Sequence, residues 1–269
     1  VTSPHRPWTA IVLAGQRPGV DPLAAHFGEA WKALVPVGGE PMVTHVVRTL
    51  SQVAEIGKIV VLAQDTEALS AAVAAGGAAD ILASSDGISV SILRHAGTPA
   101  APWPVLVTTA DHPLLTPEMV RHFIAEADAS GDDVAVAMVE RATMLAAYPG
   151  NKRTWLRFSD GAWSGANLFA LRSAGARGAL ELWAEAEQDR KKAWKLFLHF
   201  GPLLALRAIT RTIGLAKALG KAGKRLGLSA YLVPMPMAEA AIDVDKVSDH
   251  VLAEQIFLTR LDQPHPDGH

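Results

Sequence analysis

The stretch Thr9-Ala10-Ile11-Val12-Leu13-Ala14 is an almost unbroken apolar run that ends at Gly15. It reads as a strand buried on both faces, the pattern of a parallel sheet. The same signature returns at Lys58-Ile59-Val60-Val61-Leu62-Ala63 and at Pro104-Val105-Leu106-Val107-Thr108-Thr109-Ala110, and a further strand is expected over Asp133 to Val139. Helices are expected in between. From Pro41 to Val53, Met42, Val46, Val47 and Leu50 fall at helical spacing after Gly38-Gly39. Asp65 is placed to cap a helix running to about Ala75. Thr116 caps another, with Pro117 at its first position. Strand and helix alternate, so the expected fold is α/β, with a mostly parallel sheet and crossover helices. Ligands of such sheets bind where the strands end.

The second half reads differently. Thr154 to Arg172 is expected to form short strands around Asp160-Gly161, with Trp155, Phe158, Trp163 and Phe169 interleaved. A helical stretch, Ala179 to Leu219, is interrupted at Gly201-Pro202. Tyr231 to Pro236, an extended Ile242-Asp243-Val244-Asp245, and a last helix from Lys246 to about Leu261 follow. We read 1–269 as a single domain: a core over 9–150, an acceptor-side region over 151–240, and a return strand with terminal helix over 241–261.

Apolar residues make up 49% of the 269 residues, ample for a core. Net charge is −2, which argues against a general polyanion binder. With no cysteine there are no disulfides, no thiolate zinc sites and no cysteine nucleophile. Val1 to Pro7 is polar with two prolines, and Ile11 to Gly15 is too short for a signal core or a membrane span. The expected location is cytoplasmic. Charge is nevertheless segregated. Between Arg190 and Ala238 there are ten Lys or Arg and no Asp or Glu, among apolar residues at helical spacing. This basic helical extension is a solvated amphipathic face, a platform for a phosphorylated acceptor, or a peripheral contact with an anionic membrane through 190–225. It is too apolar to favour nucleic acid.

Three constellations carry chemistry. The first follows the opening strand: Leu13-Ala14-Gly15-Gln16-Arg17-Pro18-Gly19, then Lys32-Ala33-Leu34-Val35-Pro36. Glycine at a strand end lets backbone N–H groups approach phosphate. Arg17 can clamp terminal phosphates bidentately, and Lys32 can offset charge at an attacked phosphorus. No Gly-x-x-x-x-Gly-Lys-Ser/Thr and no Gly-x-Gly-x-x-Gly is present, so neither a P-loop nor a dinucleotide fingerprint applies. The second is Asp111-His112-Pro113-Leu114-Leu115, where a carboxylate ends a buried strand. Such a carboxylate suits Mg²⁺, which takes one or two protein carboxylates plus phosphate oxygens. His112 reads as structural. The third is Asp243-Val244-Asp245 with Ser248-Asp249. Alternation puts Asp243 and Asp245 on one side, one to complete the Mg²⁺ site opposite Asp111 and the other to cap the last helix.

Together these residues resemble the MobA-like nucleotidyltransferases of the GT-A, Rossmann-like fold. The positions that carry the resemblance are Leu13, Gly15, Arg17, Gly19, Lys32, Leu34, Asp111, Pro113, Asp243 and Asp245, over about residues 9–140 and again over 241–258. It implies transfer of a nucleotidyl group from an NTP to a phosphorylated acceptor, a sugar or polyol phosphate or a cofactor or lipid precursor, with Mg²⁺ and release of pyrophosphate. It further implies catalytic roles for Arg17, Lys32 and Asp111, and a metal held by Asp111 and Asp243. Leu13, Ala14, Gly15, Gly19 and Ser85 would bind the nucleotide, and Asn167 the acceptor. This chain departs from the family's usual Gly-Gly after the first strand, having Gly15-Gln16, and its loop from Gly19 to Lys32 is longer than in compact members. Two rivals stand beside this reading. A glycosyltransferase of the same fold would use an NDP-sugar and an Asp-x-Asp metal site, but here that pattern lies near the end of the chain. A non-catalytic nucleotide-binding or membrane-peripheral module would leave Arg17, Lys32 and Asp111 without a task.

Overall fold

The computed structural model describes residues 6–16, 19–84, 87–151, 153–188 and 202–262. Arg17, Ser85 and the basic residues Arg190 to Lys195 lie outside them. Ten strands and ten α-helices are described. The strands are β1 (Trp8–Leu13), β2 (Pro36–Val37), β3 (Glu40–Pro41), β4 (Ile56–Ala63), β5 (Asp80–Ala83), β6 (Val105–Thr109), β7 (Val134–Glu140), β8 (Leu156–Phe158), β9 (Gly161–Leu171) and β10 (Ala230–Pro234). The helices are α1 (Pro22–Phe27), α2 (Met42–Ser51), α3 (Thr66–Gly76), α4 (Ile88–His95), α5 (Pro117–Ser130), α6 (Arg141–Ala147), α7 (Arg177–Gln188), α8 (Pro202–Ile209), α9 (Leu215–Arg225) and α10 (Val247–Asp262).

The central sheet runs β10-β7-β9-β6-β1-β4-β5, with β8 paired to β9. The β5/β4, β4/β1, β1/β6 and β7/β10 pairs are parallel; β9 is antiparallel to both β6 and β7. Period-two alternation sorts each strand between two cores. Ala10, Val12, Val61 and Leu106 face one core with Met42, Val46, Leu50, Met119 and Phe123 from α2 and α5. Ile11, Val60, Leu62 and Val107 face the other with Ile92 and Leu180 from α4 and α7. On that second face an apolar cavity of about 240 Å³ lies between the sheet and α7 and α9, walled by Phe169, Trp183, Leu219 and Leu226 among others.

Asp65 and Thr116 cap their helices as expected, accepting from Ala68 N–H and Met119 N–H. Three expectations are corrected. The loop read from Gly19 to Lys32 contains α1, whose Asp21 cap, Pro22 start and left-handed Gly28 finish are helix signals too closely spaced for periodicity to reveal. The aromatic stretch is not only short strands: eleven-residue β9 inserts between β6 and β7, so the core over 9–150 and the region over 151–240 share one sheet. Ile242–Asp245 forms no ladder. It follows a 3₁₀ turn (Ala238–Ala241) and meets the sheet edge through one backbone bond, Val244 N–H to Asp111 C=O at 2.9 Å.

A two-residue turn ties the last helix to the first loop. Gly38 and Gly39 have φ of +58° and +83°, the left-handed pair that a tight hairpin between β2 and β3 needs. Gly38 N–H donates to Glu254 Oε1 of α10 at 2.9 Å, and a Cβ there would lie 2.6 Å from the Phe257 ring.

At the opposite edge Asp133 gathers the starts of β7 and β10. Its Oδ2 accepts from Ser229 N–H at 2.9 Å and Ser229 Oγ at 3.0 Å. The Ser229 backbone bond, more than any charge, holds the Asp133 carboxyl below its ordinary pKa. A depressed carboxyl pKa adds stability above the unfolded value, near 4, and loses it as pH falls through the lower folded value. Asp133→Ala is therefore expected to cost about 1–3 kcal/mol at neutral pH, with the gap to wild type closing in strong acid, as read by urea melts across pH.

Candidate active site

β1 and β6 end side by side, with Ala110 N–H donating to Leu13 C=O at 2.9 Å. The first loop and Asp111 therefore emerge on the same edge of the sheet. Lys32 arrives in a 3₁₀ turn (Lys32–Leu34), and its ammonium lies 2.6 Å from Asp111 Oδ2 while also pairing with Asp245 Oδ1. Behind Asp245, Asp243 pairs with Arg153, and Asn167 Nδ2 lies 3.5 Å from Asp243 Oδ2. One edge thus gathers Lys32, Asp111, Asp243, Asp245, Arg153 and Asn167.

Among the described residues three carboxylates face two cations here. Burial disfavours charge on Lys32, but Asp111 first and Asp245 second outweigh it, and the ammonium is held above its ordinary range. Asp243 shows the opposite imbalance. Burial raises its pKa, Arg153 pulls it down, and the charges of Asp245 and Asp111 push it up again; the result is upward. Asp111 Oδ1 is buried and has no hydrogen-bond partner among the described residues. A buried carboxylate oxygen left bare is costly unless a ligand takes it. Among the described residues no three carboxylate or imidazole groups converge as a metal cage. The donor set fits a cation that takes Asp111 and one neighbour from the protein and the rest from phosphate, as Mg²⁺ does.

The first loop is held by two amides. Gln16 N–H donates to Gln64 Oε1 at 3.0 Å, Gln64 Nε2 donates to Gln16 C=O at 2.6 Å, and Lys32 N–H donates to Gln16 Oε1 at 3.0 Å. A Cβ on Gly15 would come 3.2 Å from the Gln64 amide, so glycine makes room for this pairing. Leu13 ends β1 half-buried, Ala14 is buried, and Gly19 stands exposed at φ +105°. His112 is buried, and its ring Nε2 lies 3.2 Å from the Glu239 carbonyl; burial lowers its pKa to about 4, so it is neutral and staples the end of β6 to the turn before Asp243.

Asn167 is aimed by irregular backbone. Val136 pairs with Phe169 but Met138 pairs with Gly165, so β9 carries two extra residues there, and Asn167 has φ +46°. Bulges of this kind re-aim side chains beside functional sites. Sequence reasoning missed Arg153, Gln16 and Gln64 as parts of the site. Arg153 stands in a loop with no motif around it, and only the fold brings it to Asp243. It assigned Asp245 to a cap or a metal and did not foresee that its carboxylate meets Lys32 or that its N–H is capped by Asp249 Oδ2 at 3.3 Å.

Residues 10–203 match the sequence model of the MobA-like NTP transferase domain, and the chain belongs to that nucleotidyltransferase family. A hypothetical transferase from Thermus thermophilus is similar over 91% of this chain and all of its own, at 29% identity and a TM-score of 0.75. A CMP:2-keto-3-deoxy-manno-octonic acid synthetase solved with CTP shares the fold over 94% of this chain and 99% of its own, at 16% identity and a TM-score of 0.56. So does a 4-diphosphocytidyl-2C-methyl-D-erythritol synthase from Anaerococcus prevotii, over 94% and 99%, at 11% identity and a TM-score of 0.55. No curated protein matches the chain.

If Lys32 neutralises Asp111, removing it alone strands a mostly buried carboxylate. Lys32→Met is expected to lower stability by roughly 1–3 kcal/mol, and adding Asp111→Asn to recover much of that loss in a double-mutant cycle of denaturant melts.

Proposed function

We propose that this protein transfers a nucleoside monophosphate from an NTP to a phosphorylated small-molecule acceptor and releases pyrophosphate. The observation that carries the reading is the Lys32 ammonium set between Asp111 and Asp245, beside an Oδ1 of Asp111 left without a partner among the described residues. In this reading residues 9–150 hold the NTP, 151–240 face the acceptor, and 241–261 return the second carboxylate to the site.

Asp111 and Asp243 would hold Mg²⁺, which when bound would screen the negative charge of the NTP phosphates and orient them. The chain's own groups do the rest. The backbone N–H of Gly15, and Arg17 and Gly19 beyond it, grip the triphosphate; Leu13, Ala14, Gly15 and Ser85 line the base. Lys32, kept charged by its carboxylates, stabilises the charge that builds at the α-phosphorus. An oxygen of the acceptor phosphate attacks that phosphorus as the bond to pyrophosphate breaks. This oxygen is already anionic, so no general base is needed; positioning and electrostatics supply the rate. The neutral, buried His112 is not called on.

The test is pyrophosphate release with Mg²⁺, each of the four NTPs and a panel of sugar, polyol and cofactor phosphates. One NTP–acceptor pair is expected to turn over. Asp111→Asn and Lys32→Ala are each expected to slow it about 100-fold or more while circular dichroism still shows a folded protein. Near-normal release in both variants would remove these residues from their roles.

A lipid surface is the second element of the reading, and α8 favours it. Leu203, Leu206 and Ile209 are 68%, 56% and 78% exposed, on a helix that also carries Arg207 within the stretch free of acidic residues. Among the described residues no helix is long and apolar enough to cross a membrane. Peripheral contact from the cytoplasmic side fits, since each basic residue near an anionic surface contributes about 1 kcal/mol. The protein is expected to co-sediment with phosphatidylglycerol vesicles at low salt, less with phosphatidylcholine vesicles, and less again as Leu206→Asp. Equal partitioning in all three cases would remove the membrane from the account.

A further inference from the structure

Arg153 and Asn167 enter the site from the acceptor side, one just before β8 and the other in the bulge of β9. Both turn hydrogen-bond donors toward the same place. The guanidinium presents a planar fork of N–H groups, of which Nη2 pairs with Asp243 Oδ1, and the Asn167 amide presents Nδ2, 3.5 Å from Asp243 Oδ2, so both turn to one carboxylate. The Arg153 side chain is 17% exposed and that of Asp243 25% exposed, so the pair is shielded without being sealed off. A carboxylate and a phosphate dianion are recognised by the same donor geometry, and arginine grips both bidentately. Asp243 is also the carboxylate placed to join Asp111 around a divalent cation. It cannot give its charge fully to the cation and to Arg153 together.

We infer that Arg153 and Asn167 form the binding site for a phosphomonoester, the phosphate of the acceptor, and that Asp243 occupies this site until a divalent cation draws its carboxylate away. This rests on the nucleotidyl-transfer reading for the identity of the acceptor, but not for the existence of the site. The ion pair keeps the donors in place in the free protein. Cation binding then frees them for the incoming phosphate, so the two ligands bind with positive coupling. Asn167 acts by direct donation, and its left-handed backbone fixes the direction of that donation.

The test needs no turnover. Mn²⁺ alone is titrated into the full-length protein, with free Mn²⁺ read by electron paramagnetic resonance, in the absence and presence of inorganic phosphate. Phosphate is expected to tighten Mn²⁺ binding to wild type by about 5-fold or more, the lower end of ordinary coupling between sites. Arg153→Gln is expected to bind Mn²⁺ more tightly than wild type without phosphate, because the competing cation is gone, and to lose the phosphate effect. Arg153→Lys should keep part of it. Asn167→Ala should weaken the phosphate effect and leave Mn²⁺ affinity near wild type. Unchanged or weaker Mn²⁺ binding in Arg153→Gln, or full phosphate coupling in that variant, overturns the inference; thermal melts of each variant exclude misfolding as the cause. Coupling that survives a silent pyrophosphate screen would reject the proposed reaction and keep the phosphate site.

Discussion

The Lys32 ammonium is the point on which the site closes. It reaches Asp111, 79 positions away, and Asp245, 213 positions away. Three segments with no local reason to meet are thereby held at one edge of the sheet. Without the cation, the strand-end carboxylate of β6 and those of the final segment would repel one another in a partly buried place. Hydrophobic burial forms the sheet and packs its helices, but it is indifferent to which polar groups meet at the rim. The charge pairing decides that, and the rest of the site is arranged so that the pairing holds.

The supports are mostly uncharged. Gln16 and Gln64 exchange amide hydrogen bonds across the ends of β1 and β4, and Gln16 also takes Lys32 N–H, so the loop cannot drift from the strand it follows. His112 fastens the end of β6 to the turn before Asp243, and Tyr148 donates to Glu239 in that same turn. The Gly38-Gly39 hairpin, and His250, whose ring Nε2 lies 2.7 Å from the Pro36 carbonyl, dock the last helix on the first loop. Most of these bonds join neutral groups, and they position the charged groups without adding a cation or carboxylate to the Lys32–Asp111–Asp245 cluster itself.

Much of the core was legible because it follows from periodicity. The buried runs at Thr9, Lys58 and Val105 could only be inner strands, and Asp65 and Thr116 announced their helices. What failed did so for physical reasons. α1 is a single capped turn and a half, below what periodicity resolves. β9 is long but broken by its bulge, which disturbs the alternation that would have marked it as a central strand. Ile242–Asp245 alternates like a strand, yet alternation reports exposure of side chains and not whether a neighbour offers a ladder. In the site, Lys32, Asp111, Asp243 and Asn167 were all nominated and do come together. Their pairings were not foreseen, since a carboxylate suited to a metal is equally suited to an ammonium.

The sequence by itself determined the class of fold, the edge of the sheet that would carry polar chemistry, and membership of a nucleotidyltransferase family through residues clustered near strand ends. These are local properties: a strand's burial, a glycine's freedom, a cap's side chain. Only the tertiary structure decided that Arg153 faces Asp243, that Asp245 meets Lys32, and that Asn167 points inward from a bulge. Those contacts join residues tens to hundreds of positions apart, and their geometry is set by the packing of the elements that carry them, which no short window of sequence contains.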